Sequence, residues 1–378
     1  MRKDPDLDSV ANFFYSYNKY KFDEAASVPG GIVDGKTVYL DSVVNLENEL
    51  FRDVGLINSE DSTYWMVLPT NEVWKERFEE YKQYFQYDKS INKRDSLTHA
   101  NAAMALLRGT VFSRTGNTDA SIQDSAFSVN AVPYSSRKYV YGSSEDKYYL
   151  YDKPFEAGGV FDGTDNMTCS NGQLMKAFEW NIDKKQSFFQ ILRAEGENTS
   201  RLDSVDKLST RAPLTYTAVQ SKNPFYNKIS QNAYASIVPT GTSSNTFAVF
   251  NVPGVLSNIG YDIYVVTVPA LAGDTLASDV ERLPTKFRVR MSYNDENGEP
   301  LISRNWITLQ GRLETTPDAV DTFKVATNIK VPYCSVGADT PPQVKIILDT
   351  RVSNSDVRNG KFNRILRLDC IIFKPHED

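Results

Sequence analysis

Apolar residues recur along the chain in two rhythms. From Asn71 to Tyr87, NEVWKERFEEYKQYFQY sets Trp74, Phe78, Tyr81 and Phe85 four, three and four residues apart, which predicts a helix with one apolar stripe. Lys75, Glu76, Glu79, Glu80 and Lys82 fall mostly on its other faces. LTHANAAMALL, Leu97 to Leu107, predicts a second helix ending before Arg108-Gly109, while RKYVYG and DKYYLYD read as short strands. Beyond about residue 190 the rhythm becomes two. In KFRVRMSY, Phe287, Val289, Met291 and Tyr293 alternate with Lys286, Arg288, Arg290 and Ser292 before the turn NDENG, so one face of this strand is buried and the other wet. NTFAVFNV, YDIYVVTV, NWITLQGRL, QVKIILDTRV and RILRLDCIIF repeat the pattern between Pro, Gly, Asn and Asp clusters, which predicts a β-sandwich. Ala194 to Pro213 is polar and reads as a linker or a loop-rich entry to that sandwich.

Length and composition narrow the classes. A chain of 378 residues suggests two domains. With 40% apolar residues, including 20 Phe and 21 Tyr, it has enough to bury sizeable cores. The net charge of −6 is not gathered into blocks, which argues against a nucleic-acid partner. No apolar run reaches the ~18 residues of a membrane span. Cys169, Cys334 and Cys370 are widely spaced and read as buried thiols, not as a zinc site or disulfide framework. His99 and His376 are the only histidines, so a catalytic triad or a histidine metal site would rest on His99. Hydrolysis by two carboxylates needs no histidine, but no such pair stands out.

One motif misleads. GGIVDGKT, Gly30 to Thr37, has the letters of a phosphate-binding loop, and IILD, Ile346 to Asp349, could pass for its partner strand. A working loop follows an apolar strand and opens a helix. Here FDEAASVP precedes it and TVYL follows, so the stretch reads as a Gly-rich turn and no nucleotide is expected.

VLPTNEVW, Val67 to Trp74, carries a different message. Pro69 closes the strand YWMVL, Thr70 or Asn71 caps the following helix, and Glu72 suits its positive first turn. The wording resembles the first box of the fasciclin-like domain. NMTCSNGQLMKAFEW, Asn166 to Trp180, is similar to that family's closing box; its Asn171-Gly172 turn would send Leu174 and Phe178 into the core. MALLRGTVFSRT lies in the place of the central motif but lacks the family's Tyr-His pair. The second half resembles carbohydrate-binding β-sandwich modules, which open with a Glu-x-Glu strand and close on a strand carrying an aspartate. That resemblance implies a structural calcium ion on Glu195, Glu197 and Asp369, oxygen ligands that suit a hard cation. No other cofactor is indicated.

Together these resemblances imply an α+β fasciclin-like domain over residues 1–185 and an all-β, jelly-roll, galactose-binding-like sandwich over residues 186–378. Such a pair looks like surface lipoproteins of Gram-negative gut anaerobes, held to the outer membrane only through a lipid anchor on a leader since removed. The function expected is non-catalytic: adhesion or assembly with a surface protein or matrix partner through exposed loops first, polysaccharide binding by the sandwich second. For sugar stacking the candidates are Tyr226, Tyr234, Trp306 and Tyr333, in or beside expected loops.

Overall fold

The computed structural model describes residues 1, 4–54, 57, 60, 63–113, 125–127, 150–189, 191–205, 214–239, 244–338 and 343–377. Among these, the chain forms two compact units. The first comprises the described residues of Met1–Glu80, Ala103–Ala131 and Lys147–Ser187; the second takes in Tyr81–Ala102 and the chain from Phe188 onward. Tyr81–Ala102, which a division after residue 185 would leave in the first domain, therefore clusters with the second unit. RKYVYG and most of DKYYLYD lie outside the described residues.

In the first unit the segments around Val67 to Trp74 and Asn166 to Trp180 contribute neighbouring strands. β3 (Tyr64–Pro69) pairs in parallel with β8 (Gly172–Ala177), from Tyr64 opposite Gly172 to Pro69 opposite Ala177, and β4 (Val111–Ser113) and β7 (Thr164–Cys169) flank them antiparallel. Trp65 to Leu68 are all buried, as expected of a continuous apolar strand covered on both faces. Gly172 is required where the strands meet. Its φ is +148°, and a Cβ there would lie 1.7 Å from the Tyr64 carbonyl oxygen. Leu174 enters the core, but Phe178 does not: it is 49% exposed, because β8 stops at Ala177 and the strand's alternation stops with it.

After Pro69, the Thr70 hydroxyl accepts from the Val73 N–H at 3.5 Å and caps α3 (Asn71–Lys82). Asn71 is engaged elsewhere, donating to the Pro5 carbonyl at 2.7 Å and accepting from the Ser9 N–H at 2.8 Å at the start of α1 (Asp8–Ser16). The predicted stripe is buried throughout, Trp74 against Phe13 and Phe78 in the first unit, Tyr81 and Phe85 against Phe188 in the second. α2 (Leu50–Val54) and α4 (Arg94–Leu107) supply further core residues, and β5 (Ser125–Phe127) pairs with β6 (Leu150–Asp152).

The Gly-rich stretch forms the tip of a long hairpin of β1 (Asn18–Val33) and β2 (Lys36–Asn48). Asp34 and Gly35 have φ of 51° and 73°, as a two-residue turn that follows the strands' twist requires. Lys36 sits in the ladder opposite Val33, exposed and with no helix after it.

The second unit is a pair of antiparallel sheets. One runs β10 (Leu202–Val205), β13 (Phe247–Val252), β18 (Val344–Thr350), β15 (Lys286–Ser292), β16 (Ile307–Glu314). The other runs β11 (Leu214–Ala218), β12 (Ala233–Ile237), β19 (Leu366–Pro375), β14 (Gly260–Thr267), β17 (Asp321–Lys330), with β9 (Leu192–Glu195) also pairing with β19. Phe287, Val289 and Met291 are fully buried, as their alternation predicts, and the Phe287 ring meets Phe323 of the opposite sheet at 5.4 Å. The core thus lies between the sheets. The outer face of the first sheet is left for the alternate, polar residues.

Candidate functional site

Because side chains alternate along a strand, fixing Phe287, Val289 and Met291 inward turns Arg288, Arg290 and Ser292 to the outer face. Pairing between β15 and β18 sets Arg288 opposite Asp349 and Ser292 opposite Lys345, while β13 brings Phe247 opposite Asp349 and Val249 opposite Ile347. The result is a groove of about 930 Å³ with an apolar and charged floor, bounded on one side by the segment from Pro300 to Trp306.

Asp349 organises the charges. Its two oxygens accept from Arg290 Nε and an Arg290 terminal amine, each at 2.9 Å, and Arg288 Nε adds a third bond at 3.0 Å. The Arg290 guanidinium lies 4.5 Å from the centre of the Trp306 ring, whose Nε1 donates to the Leu301 carbonyl at 2.9 Å. Both ends of the indole are thereby held. Burial lowers the pKa of Arg290; Asp349 opposes this, and the neighbouring Arg288 and Arg351 reinforce it. At the far end Lys345 Nζ pairs with Asp203 at 2.8 Å.

A second polar cluster lies where β9 meets β19. The Gly196 N–H donates to the Asp369 carbonyl at 2.7 Å, and a Cβ on Gly196 would lie 2.6 Å from the Leu368 carbonyl, so a glycine between the two glutamates lets the strands approach. Ligand atoms of Glu195, Asp369 and Cys370 fall within 4.8 Å of one another. Ser230 bridges two of these residues: its N–H donates to both Asp369 oxygens at 3.0 and 3.2 Å, and its hydroxyl donates to Glu195 Oε1 at 2.8 Å. Burial, reinforced by the charges of Glu195 and Glu197, pushes Asp369 up to about 8. Burial and Glu195 push Glu197 to about 7, and burial also raises Glu195 against the pull of Ser230 and Arg193. Buried oxygens Glu195 Oε2 and Glu197 Oε2 have no hydrogen-bond partner among the described residues. Unpartnered buried carboxylate oxygens fit a hard divalent cation, whereas the Cys370 thiol, which burial pushes well up, is a poor ligand for one.

Of the sequence candidates, the structure brings Glu195 and Asp369 together, with Cys370 where Glu197 was expected in the closest set. Trp306 lines the groove. Tyr234 is corrected: it is 3% exposed and packs among Val219, Ile229, Val268 and Ala272, leaving no free ring face. Tyr226 is 37% exposed, Tyr333 half-buried, and neither lines the groove. Cys334 and Cys370 are buried as expected; Cys169 is exposed, because β7 is a sheet edge. Missed by sequence reasoning were Arg288, Arg290, Lys345, Asp349 and Arg351. Their signal was the wet face of KFRVRMSY, which alternation alone marks as solvated, not as the floor of a groove.

No family model matches the chain, and no curated protein does. Among solved structures, the chain is similar to the CBM22-1–GH10 modules of Clostridium thermocellum endo-1,4-β-D-xylanase 10B complexed with xylohexaose, at 10% identity, TM-score 0.26, over 49% of this chain and 28% of that one. It is similar to an allantoicase at 10% identity, TM-score 0.19, over 43% of this chain and 39% of that one. A structure of carbohydrate-binding modules from the β-sandwich superfamily matches at 10% identity, TM-score 0.22, over 61% of this chain and 80% of that one. The chain thus spans well under half the length of the first two.

Proposed function

We propose that the second unit is a glycan-binding module and that the outer-face groove holds the sugar. One observation carries this reading: an open trough combining a fixed indole, apolar walls from Phe247, Leu301 and Ile302, and forked donors clamped on Asp349. A sugar ring offers apolar C–H faces to the indole and hydroxyls to the charged groups, and the volume lies within the ~300–1,000 Å³ of ligand pockets. In this reading the role is binding without turnover, and both groove carboxylates, Asp349 and Asp203, serve in ion pairs that hold the neighbouring cationic side chains. Within this reading Glu195, Glu197 and Asp369 hold a calcium ion that ties the opening strand of the sandwich to its closing one. The first unit is a fasciclin-like domain, and the whole is a lipid-anchored protein of the cell surface. A glycan array, read with and without chelator and followed by product analysis, tests it. Retained glycan without soluble product is expected; a blank array or steady release of product would refute it.

A protein partner is the second reading, favoured by the β1–β2 hairpin. Tyr20 and Leu46 pair across it, as do Phe22 and Val44, and all four are exposed; Ile32 and Leu40 reach 77% and 80% exposure. Shortening the hairpin to its first pairs, with glycan binding intact and partner capture lost, would establish that role.

A further inference from the structure

The groove carries a charge opposite in sign to the chain. Against a net charge of −6 overall, its lining sets four cationic side chains, Arg288, Arg290, Lys345 and Arg351, against two carboxylates, Asp203 and Asp349. The carboxylates are already satisfied. Asp203 is held by Lys345 at 2.8 Å, and Asp349 receives both prongs of Arg290 as well as Arg288 Nε. Arg351 has no such partner: its side chain is exposed on the groove wall and makes no hydrogen bond or ion pair among the described residues. Its backbone is fixed, the N–H donating to the Lys286 carbonyl at 2.6 Å, so the guanidinium starts from an ordered strand end. Arg288 spends only Nε on Asp349, which leaves its terminal amines unused.

Two guanidinium groups with donors to spare, beside a carboxylate that cannot neutralise them, make a site for an anion. Their planar fork matches a carboxylate with two parallel N–H···O bonds. We propose, building on the glycan-binding reading of this groove, that it selects acidic glycans whose uronate carboxylates are held by Arg351 and Arg288, with Trp306 beneath a sugar ring.

The test uses the full chain on an array of oligogalacturonate, oligomannuronate and glucuronate-containing oligosaccharides, each beside its carboxyl-reduced form and beside sulfated and neutral chains. Binding to at least one acidic form is expected to be tenfold or more tighter than to its reduced counterpart and to weaken as salt rises. Arg351→Gln should bring that ratio below about threefold; tenfold corresponds to about 1.4 kcal/mol. Circular dichroism should match the unaltered protein, since only the exposed side chain changes. Equal affinity for acidic and reduced chains, or signal confined to neutral or to sulfated chains, would overturn the uronate inference and leave glycan binding standing. A blank array would overturn both.

Discussion

Replacing Asp369 with Asn changes one oxygen to an amide nitrogen in the buried cluster it forms with Glu195 and Cys370. Asp369 is 3% exposed, and burial beside Glu195 and Glu197 pushes it from the ordinary 3.8 to about 8. The folded state therefore holds a proton that the unfolded chain releases, and stability falls as pH rises from about 4 to about 8. At 1.36 kcal/mol per pKa unit, the ionised, metal-free fold gives up on the order of 5 kcal/mol across that window. For a unit of this size that corresponds to a melting-temperature loss of about 10 °C or more. Bound calcium would offset the repulsion, and at a hundredfold excess over Kd would contribute ~2.7 kcal/mol. The amide introduced by Asp369→Asn keeps an oxygen that can accept from the Ser230 N–H, but it carries no charge. Calorimetry of the full chain at pH 5, 6, 7 and 8, with chelator or with calcium, should show the unaltered protein falling with pH in chelator and recovering in calcium. The D369N chain should fall less and gain nothing from calcium. Hydrogen exchange on β9 and β19 peptides assigns the transition to this strand pair. A chelated protein equally stable at pH 5 and 8, together with no response to calcium, would refute both the electrostatics and the metal.

Trp306→Ala removes the ring fixed by Arg290 and the Leu301 carbonyl, and should weaken glycan binding about tenfold by titration calorimetry, since a ring contact is worth ~0.5–1.5 kcal/mol. Gly172→Ala drives a methyl onto the Tyr64 carbonyl at a φ of +148° and should destabilise the first unit by about 3 kcal/mol. Urea unfolding followed by tryptophan fluorescence checks this, because Trp65, Trp74 and Trp180 all lie in that unit. Thr70→Ala removes the cap on α3 and should cost about 1 kcal/mol in the same assay, with Thr70→Ser restoring most of it.

What the chain itself determined was local. Pro69 ending a strand, Thr70 opening a helix, and the period-two run of Phe287, Val289 and Met291 each depend on neighbours a few residues away, so they are legible in order along the sequence. The turn at Asp34-Gly35 was legible for the same reason, and with it the absence of a helix after Lys36. What only tertiary structure decided was which wet face is a surface and which is a floor. Arg290 and Asp349 are 59 residues apart, and nothing near either says that two strands will pair in a register that locks them together beneath Trp306. Burial of Tyr234 and exposure of Phe178 were settled the same way, by where the opposing layer lies and where a strand stops. Alternation tells a side chain which way to point, but the partner waiting there is supplied by distant chain, and a site made of such partners exists only once the sheets have closed.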